Sequence, residues 1–367
     1  MRRRALAVVL LGVFLLLGGC WDNRSIEHRA IVLMIGIEPA QDGLISVYFQ
    51  VPTSQALSSL SVSSSPSSAS PATYVVGGVG KTVAQAMTQA QAKSSGDLYL
   101  GQVQEIVLSS QLPAAQFEDV LDFLARIGPM DKTSYVAVSP DPIQHITQHQ
   151  PQEGLLPALY LTSFFSCRHC QEVYLARTVW DAEQHLQTPG MSMWLPVLRD
   201  HEANFRIDQA ALYRQGQPVM TLTPEQTVYL GYLLNATAKA SLPFTLHGAP
   251  VSVRALRSRT ATHVVPEAGG VRLVADLKVQ GILDTLPPGE ATIANLRALE
   301  IEVSRGIAAQ ELTLIRSMQR QGVDPVGFLA PYLWQHQSLM PQANELYRNA
   351  GVEVRVHTRI IEVGDVL

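Results

Sequence analysis

Cysteine is scarce in this sequence. There are three in 367 residues, at positions 20, 167 and 170, which excludes a disulfide-built scaffold. Charge is sparse too: 16% of residues are Asp, Glu, Lys or Arg, so Ser, Gln, Thr and Asn must supply much of the surface polarity. Positive charge is not in excess, with 27 basic against 31 acidic residues, a formal net charge of −4 and a pI near 6.2. The basic footprint of a nucleic-acid binder is missing, and no nucleic-acid partner is expected. Beyond the first twenty residues no stretch approaches ~18 consecutive apolar positions, so no membrane-spanning helix is expected in the body of the chain. Gly-x-x-x-x-Gly-Lys-Ser/Thr and Gly-x-Ser-x-Gly are absent, and with them the phosphate loop and the nucleophile elbow. Apolar residues are plentiful, at 47%, enough for real cores, and the length suggests two or three domains.

The N-terminus carries the most specific signal. Met1-Arg2-Arg3-Arg4 is basic, and Ala5–Leu17 is an uncharged run of 13 residues. At about 1.5 Å per residue that falls well short of the ~30 Å hydrocarbon core, so it reads as a signal peptide. It ends in Leu17-Gly18-Gly19-Cys20, the pattern of a bacterial lipobox. The Cys20 thiol would take a diacylglyceryl group, and cleavage between Gly19 and Cys20 would leave the lipidated cysteine first. A second acyl chain makes such an anchor stable. The expected location is therefore the outer face of a cell membrane, held there by lipid. Trp21 suits the membrane interface, and Asp22 could pair with a basic group on a membrane partner.

Alternation and helical spacing organise the rest. Ala30–Ile37 reads as one strand buried on both faces, and Ile45, Val47, Phe49 and Val51 as a half-buried strand after a turn at Asp42-Gly43. Residues 53–73 hold ten serines and two prolines, a long loop with too little apolar surface to order itself. Helices are expected over Lys81–Lys93, around Phe117–Leu124, from Pro142 to His149 and after Pro157, with strands at Val103–Leu108 and Tyr135–Val138. Trp180–Pro196 reads as connecting structure. Further on, a hairpin turns at Gln215-Gly216, and Thr223-Pro224 opens a helix. Val251 and Val253 begin one strand, Val271–Val279 alternate in another, and a helix runs from about 290 to 321. A one-sided strand from Val352 to Ile360 closes the chain. The expected class is α+β, with mixed and antiparallel sheets each packed with helices in three lobes. The expected division is a signal peptide at 1–19, an N-terminal α/β domain at 20–200 with a connecting lobe at about 151–200, and a C-terminal α+β domain at 201–367.

Few residues look chemically active. Cys167-Arg-His-Cys170 could be a local disulfide in an exported protein, a redox pair or half of a metal site. It lacks the further ligands zinc needs, and the disulfide is favoured. His145 and His149 stand four apart without the Glu of a zinc-hydrolase motif, so a solvated helix face is expected. Gly77-Gly-Val-Gly80-Lys81 reads as a turn. No catalytic residue, cofactor or metal is predicted.

Cys20-Trp21-Asp22-Asn-Arg24, followed by Ala30-Ile-Val32 and Gly36-Ile37, resembles the mature N-terminus of the Ger(x)C family, the lipoprotein C subunits of spore nutrient-germinant receptors. Ser25 stands where that family usually has Glu, and Glu38 where it has Asp. Leu121-Asp-Phe-Leu-Ala-Arg126, Ala211–Val219 and Asp324-Pro-Val-Gly-Phe328 are similar to later family motifs in the same order. The resemblance implies a noncatalytic, lipid-anchored receptor subunit on the spore inner membrane, with two integral-membrane subunits as partners. Trp21, Asp22 and Arg24 become partner-contact candidates. Whether this subunit touches a germinant stays open. The alternatives are a solute-binding lipoprotein of a transporter and a lipid-anchored thiol-disulfide protein using Cys167 and Cys170.

Overall fold

The computed structural model describes residues 28–59, 71–151, 156–166, 175–201, 204–236, 240–246, 248–285 and 292–363. Gly19, Cys20, Trp21, Asp22 and Arg24 lie outside the described residues, as do Cys167, Cys170 and the centre of the Ser-rich stretch.

The chain runs β1 (Arg29–Ile31), β2 (Met34–Pro39), β3 (Ile45–Pro52), α1 (Ser54–Ser59), β4 (Thr73–Gly80), α2 (Val83–Gln91), β5 (Asp97–Tyr99), β6 (Glu105–Ser109), α3 (Ala114–Arg126) and β7 (Tyr135–Ser139). Then come α4 (Ile143–Gln148), α5 (Pro157–Ser166), α6 (Val179–Gln187), β8 (Trp194–His201), β9 (Asn204–Arg214) and β10 (Gln217–Thr221). Eight of these strands form one mixed sheet in the order β10-β9-β8-β7-β6-β2-β3-β4. The second lobe contains α7 (Pro224–Leu233), β11 (Ser241–Leu246), β12 (Ala249–Glu267), β13 (Gly270–Thr285), α8 (Ile293–Gln321), α9 (Ala330–Gln335), α10 (Ala343–Asn349) and β14 (Gly351–Val363). Its four-stranded sheet has the order β11-β12-β13-β14. The expected α+β class, with mixed sheets packed against helices, is what the chain adopts.

Apolar side chains gather into three cores. Two lie on opposite faces of the large sheet: Ile35, Ile37, Phe49 and Ile106 pack under α2, α3 and α6, while Met34, Val107 and Ala137 pack under α4 and α5. The third fills the second lobe, where Leu299, Val303, Ile307, Leu314 and Met318 of α8 cover the smaller sheet. Strand β9 serves all three: Phe205 and Ile207 join the second core, Ala211 and Tyr213 the first, Ala210 and Leu212 the third. Helix α7 packs within the third core. Thr223 and Gln226 form its capping box, and every residue from Thr227 to Leu233 is buried, the pattern of a helix with protein on all sides. At its end Asn235 enters the left-handed region (φ 58°). Its amide then pairs with both backbone groups of Thr260 in β12, accepting from the N–H at 2.6 Å and donating to the carbonyl at 3.0 Å.

Several local expectations change. Ala30–Ile37 is not one strand: β1 pairs with β5, and β2 lies between β3 and β6. The chain steps across at Val32 and Leu33, whose N–H groups donate to Tyr99 and Gln50 carbonyls. Strand β3 is buried on both faces, not one, because α4 and α5 cover the second. Gln50 is fully buried there and spends its amide on them, donating to the Thr147 carbonyl at 2.6 Å and accepting from the Ala158 N–H at 3.4 Å. Gly77–Gly80 is strand, not turn. Its glycines let α2 lie directly on β4, since a Cβ at Gly78 would overlap the Ala86 carbonyl oxygen. Trp180–Pro196 is more than connecting chain: it holds most of α6, capped by Thr178 and Asp181, and the start of β8, which joins the sheet. In the second lobe β14 pairs parallel with β13, where an antiparallel arrangement had been the simpler reading.

Candidate functional site at the junction of the lobes

A cleft of about 360 Å³ opens between the lobes. The first lobe contributes Leu186, Met191, Met193 and the β9–β10 turn at Arg214–Gly216; the second contributes Gly322, Asp324, Met340, Pro341, Asn344 and Tyr347. Gln215 and Gly216 both take positive φ, the tight hairpin geometry expected from sequence. A Cβ at Gly216 would come 2.5 Å from the Ala114 carbonyl, so the tip is seated against the start of α3.

A line of buried polar groups runs beneath the cleft. The Arg177 guanidinium lies 3.9 Å above the Trp194 ring and contacts His185 Nε2 at 3.2 Å. Arginine only donates, so Nε2 accepts, the proton sits on Nδ1, and Nδ1–H donates to the Ser192 carbonyl at 3.1 Å. Ser192 then meets the second lobe reciprocally. Its N–H donates to the Asp324 carbonyl at 2.8 Å, and its Oγ accepts from the Asp324 N–H at 2.9 Å. The Asp324 carboxylate accepts from the N–H groups of Gly327 at 2.8 Å and Leu329 at 3.4 Å, fixing the turn that leads into α9. Gly327 has φ 74° and lies against Met191.

Burial sets the electrostatics. Loss of hydration lowers Arg177 to about 9, still charged at neutral pH. Burial and then the adjacent Arg177 charge push His185 down to about 4, so it is neutral. Burial raises Asp324 to about 7 against the backbone N–H groups that favour its anion. Both imidazole nitrogens and the carboxylate are already engaged. The Ser192–Asp324 pair fastens the lobes together, and His185 and Arg177 back it from the first lobe. The cleft walls, with three methionines, suit adaptable apolar contact.

The residues singled out from sequence fall elsewhere. His145 and His149 do not share a helix face: α4 ends at Gln148, and His149 turns away into contact with Asp200 at 3.2 Å and the Phe205 ring at 4.5 Å. Among the described residues no group of His, Cys, Asp and Glu is arranged to hold a metal, and no helix is long and apolar enough to cross a membrane. The signal for the junction was slight. Asp324-Pro-Val-Gly-Phe328 had been noticed as a motif, whereas Arg177, His185 and Ser192 carried none.

Residues 22–200 match the family model "Spore germination protein N-terminal domain", and residues 208–364 match "Spore germination B3/ GerAC like, C-terminal". The chain belongs to the GerAC-like family of spore germination proteins. This is the family of germinant-receptor C subunits that the N-terminal motifs resembled. In Bacillus subtilis (strain 168) its relatives include the putative spore germination protein YfkR, 21% identical over 98% of this chain and 96% of that protein. Spore germination protein B3 of the same organism is 22% identical over 75% of this chain and 73% of that protein. GerQC of Bacillus cereus is 18% identical over 89% of this chain and 88% of that protein. The crystal structure of the GerBC protein superposes with a TM-score of 0.58 at 16% identity, covering 89% of this chain and 96% of that one; the fold is shared. In this GerAC-like chain the two matched regions are continuous in hydrogen bonding, because β8 of the first pairs along its length with β9, most of which lies in the second.

Proposed function

We propose that this protein is a noncatalytic, lipid-anchored subunit of a spore nutrient-germinant receptor, and that its folded ectodomain docks on integral-membrane subunits to assemble or tune the germination signal. The observation that carries this reading is the lipobox Leu17–Cys20, placed eight positions before His28, where the described fold begins. Even fully extended, such a tether spans roughly 30 Å. A diacylglyceryl group on Cys20 would hold the first lobe beside the outer face of the bilayer, the spore inner membrane, within reach of membrane partners. Trp21, Asp22 and Arg24 in that tether are the proposed partner contacts, and the expected Cys167–Cys170 disulfide stays part of the proposal. The noncatalytic assignment is supported by the cleft, where the ionisable side chains beneath the floor are committed to holding the lobes. A solute-binding lipoprotein is less well supported, since the second lobe is an antiparallel three-strand sheet with one parallel edge rather than a second parallel α/β lobe.

Replacing Cys20 by Ala tests the reading. The variant should fold with an unchanged thermal midpoint, leave the membrane fraction, and support a weaker germination response through loss of local concentration. A full response from Cys20→Ala protein recovered in the soluble fraction would overturn it.

A further inference from the structure

We infer that the C-terminal end of α8 is a binding site for a phosphate-bearing anion, held by the guanidinium groups of Arg316, Arg320 and Arg348. Arg316 and Arg320 stand one turn apart on α8, and Arg348 comes from α10; with Gln319 they line an open depression of about 450 Å³. Arg348 is held in place. Its Nη2 donates to the Arg320 carbonyl at 2.9 Å, and its guanidinium lies over Gly322, where a Cβ would come 2.9 Å from Nε. Gly322 itself ends the helix in the left-handed conformation (φ 68°), so this close approach depends on a residue with no side chain. Arg214 adds a fourth guanidinium from the first lobe, donating to the Gln321 carbonyl at 2.7 Å.

One or two cations at a helix C-terminus are ordinary, because the terminus carries only about half a negative charge. Four exceed what it can balance. Among the described residues none of the four forms an ion pair, although acidic residues outnumber basic ones in the whole chain. Glu345, the acidic residue of α10, is not paired with them either. Donor capacity is left over as well: among the described residues the Arg316 guanidinium makes no hydrogen bond, and Arg320 spends one nitrogen on Ser317 Oγ at 3.1 Å. Planar forks with free N–H groups, converging on a concave surface without a carboxylate, match the tetrahedral oxygens of phosphate. The source could be a phospholipid headgroup or a free phosphate compound. The site is built from these arginines whether or not Cys20 is lipidated.

The test uses the full chain in neutral detergent micelles. Pyrophosphate is titrated by calorimetry, and in a second arm the thermal midpoint is read in micelles doped with phosphatidylglycerol or with an equal amount of phosphatidylcholine. Both arms are repeated with the exposed pair replaced, Arg316→Gln with Arg320→Gln. Saturable pyrophosphate binding that weakens with salt and drops at least tenfold in the double variant assigns a free phosphate compound. A midpoint raised by phosphatidylglycerol in the wild type alone, without pyrophosphate binding, assigns a headgroup. No response in either arm, or equal responses in wild type and variant, overturns the site. Should the Gln pair fail to fold, Arg316→Lys with Arg320→Lys keeps the charge but loses the forks; affinity should fall several-fold, and an unchanged affinity overturns the site equally.

Discussion

Asp324 and His185 titrate across nearly the same range with opposite consequences. Burial raises the Asp324 carboxyl to about 7, above its ordinary ~3.9. Its anion is therefore disfavoured in the folded state, and stability is lost as pH rises from about 4 to about 7. His185 is lowered to about 4 from an ordinary ~6.5, so its share of stability is complete above about 6.5 and lost as pH falls toward 4. The two slopes oppose one another and largely cancel in the wild type. Relative to wild type, His185→Gln should therefore gain stability toward acid and Asp324→Asn should lose it, each by up to about 1.4 kcal/mol per pH unit. Urea midpoints measured from about pH 5 to 7 check this, and parallel profiles for the three proteins would refute it. None of this could be read from sequence. His185 looks like one polar residue on an amphipathic helix, and Asp324 like a turn residue beside Pro325; only the contact through Ser192 couples them.

At the scale of elements, the sequence was legible wherever one face of a segment met solvent. The stripe of α8 and the alternation of β13 emerged where periodicity placed them, and the Thr223-Pro224 cap marked the start of α7. It failed where packing, not pattern, set the structure. Strand β4 was missed because glycines at 77, 78 and 80 look like turn residues, although those at 78 and 80 admit a helix. Substituting Gly78 by Ala should push α2 off β4 and cost about 1–3 kcal/mol or more, read as a lower midpoint in chemical denaturation. A neutral substitution would mean that α2 shifts without loss. The polar alternation of β3 misled in the same way, because the amide of Gln50 faces two helix backbones instead of water.

For the molecule as a whole, sequence established an α+β chain whose described part begins shortly after a lipobox. It did not show how the lobes are joined. Strand β9 belongs to both, and the core of the second lobe takes Leu175, Trp194, Ala210 and Leu212 from the first, so the second lobe has no complete core without the first, and calorimetry should record one unfolding transition. Two well-separated transitions would contradict the shared core. Sequence was silent because shared elements have the same local pattern as unshared ones. The parallel pairing of β14 with β13 has a further consequence, for the order of events at synthesis. The strand that completes the smaller sheet is Gly351–Val363, and its partner is translated more than sixty residues earlier. Until that strand has been made, α8 and the long β12–β13 hairpin have an incomplete template to close upon.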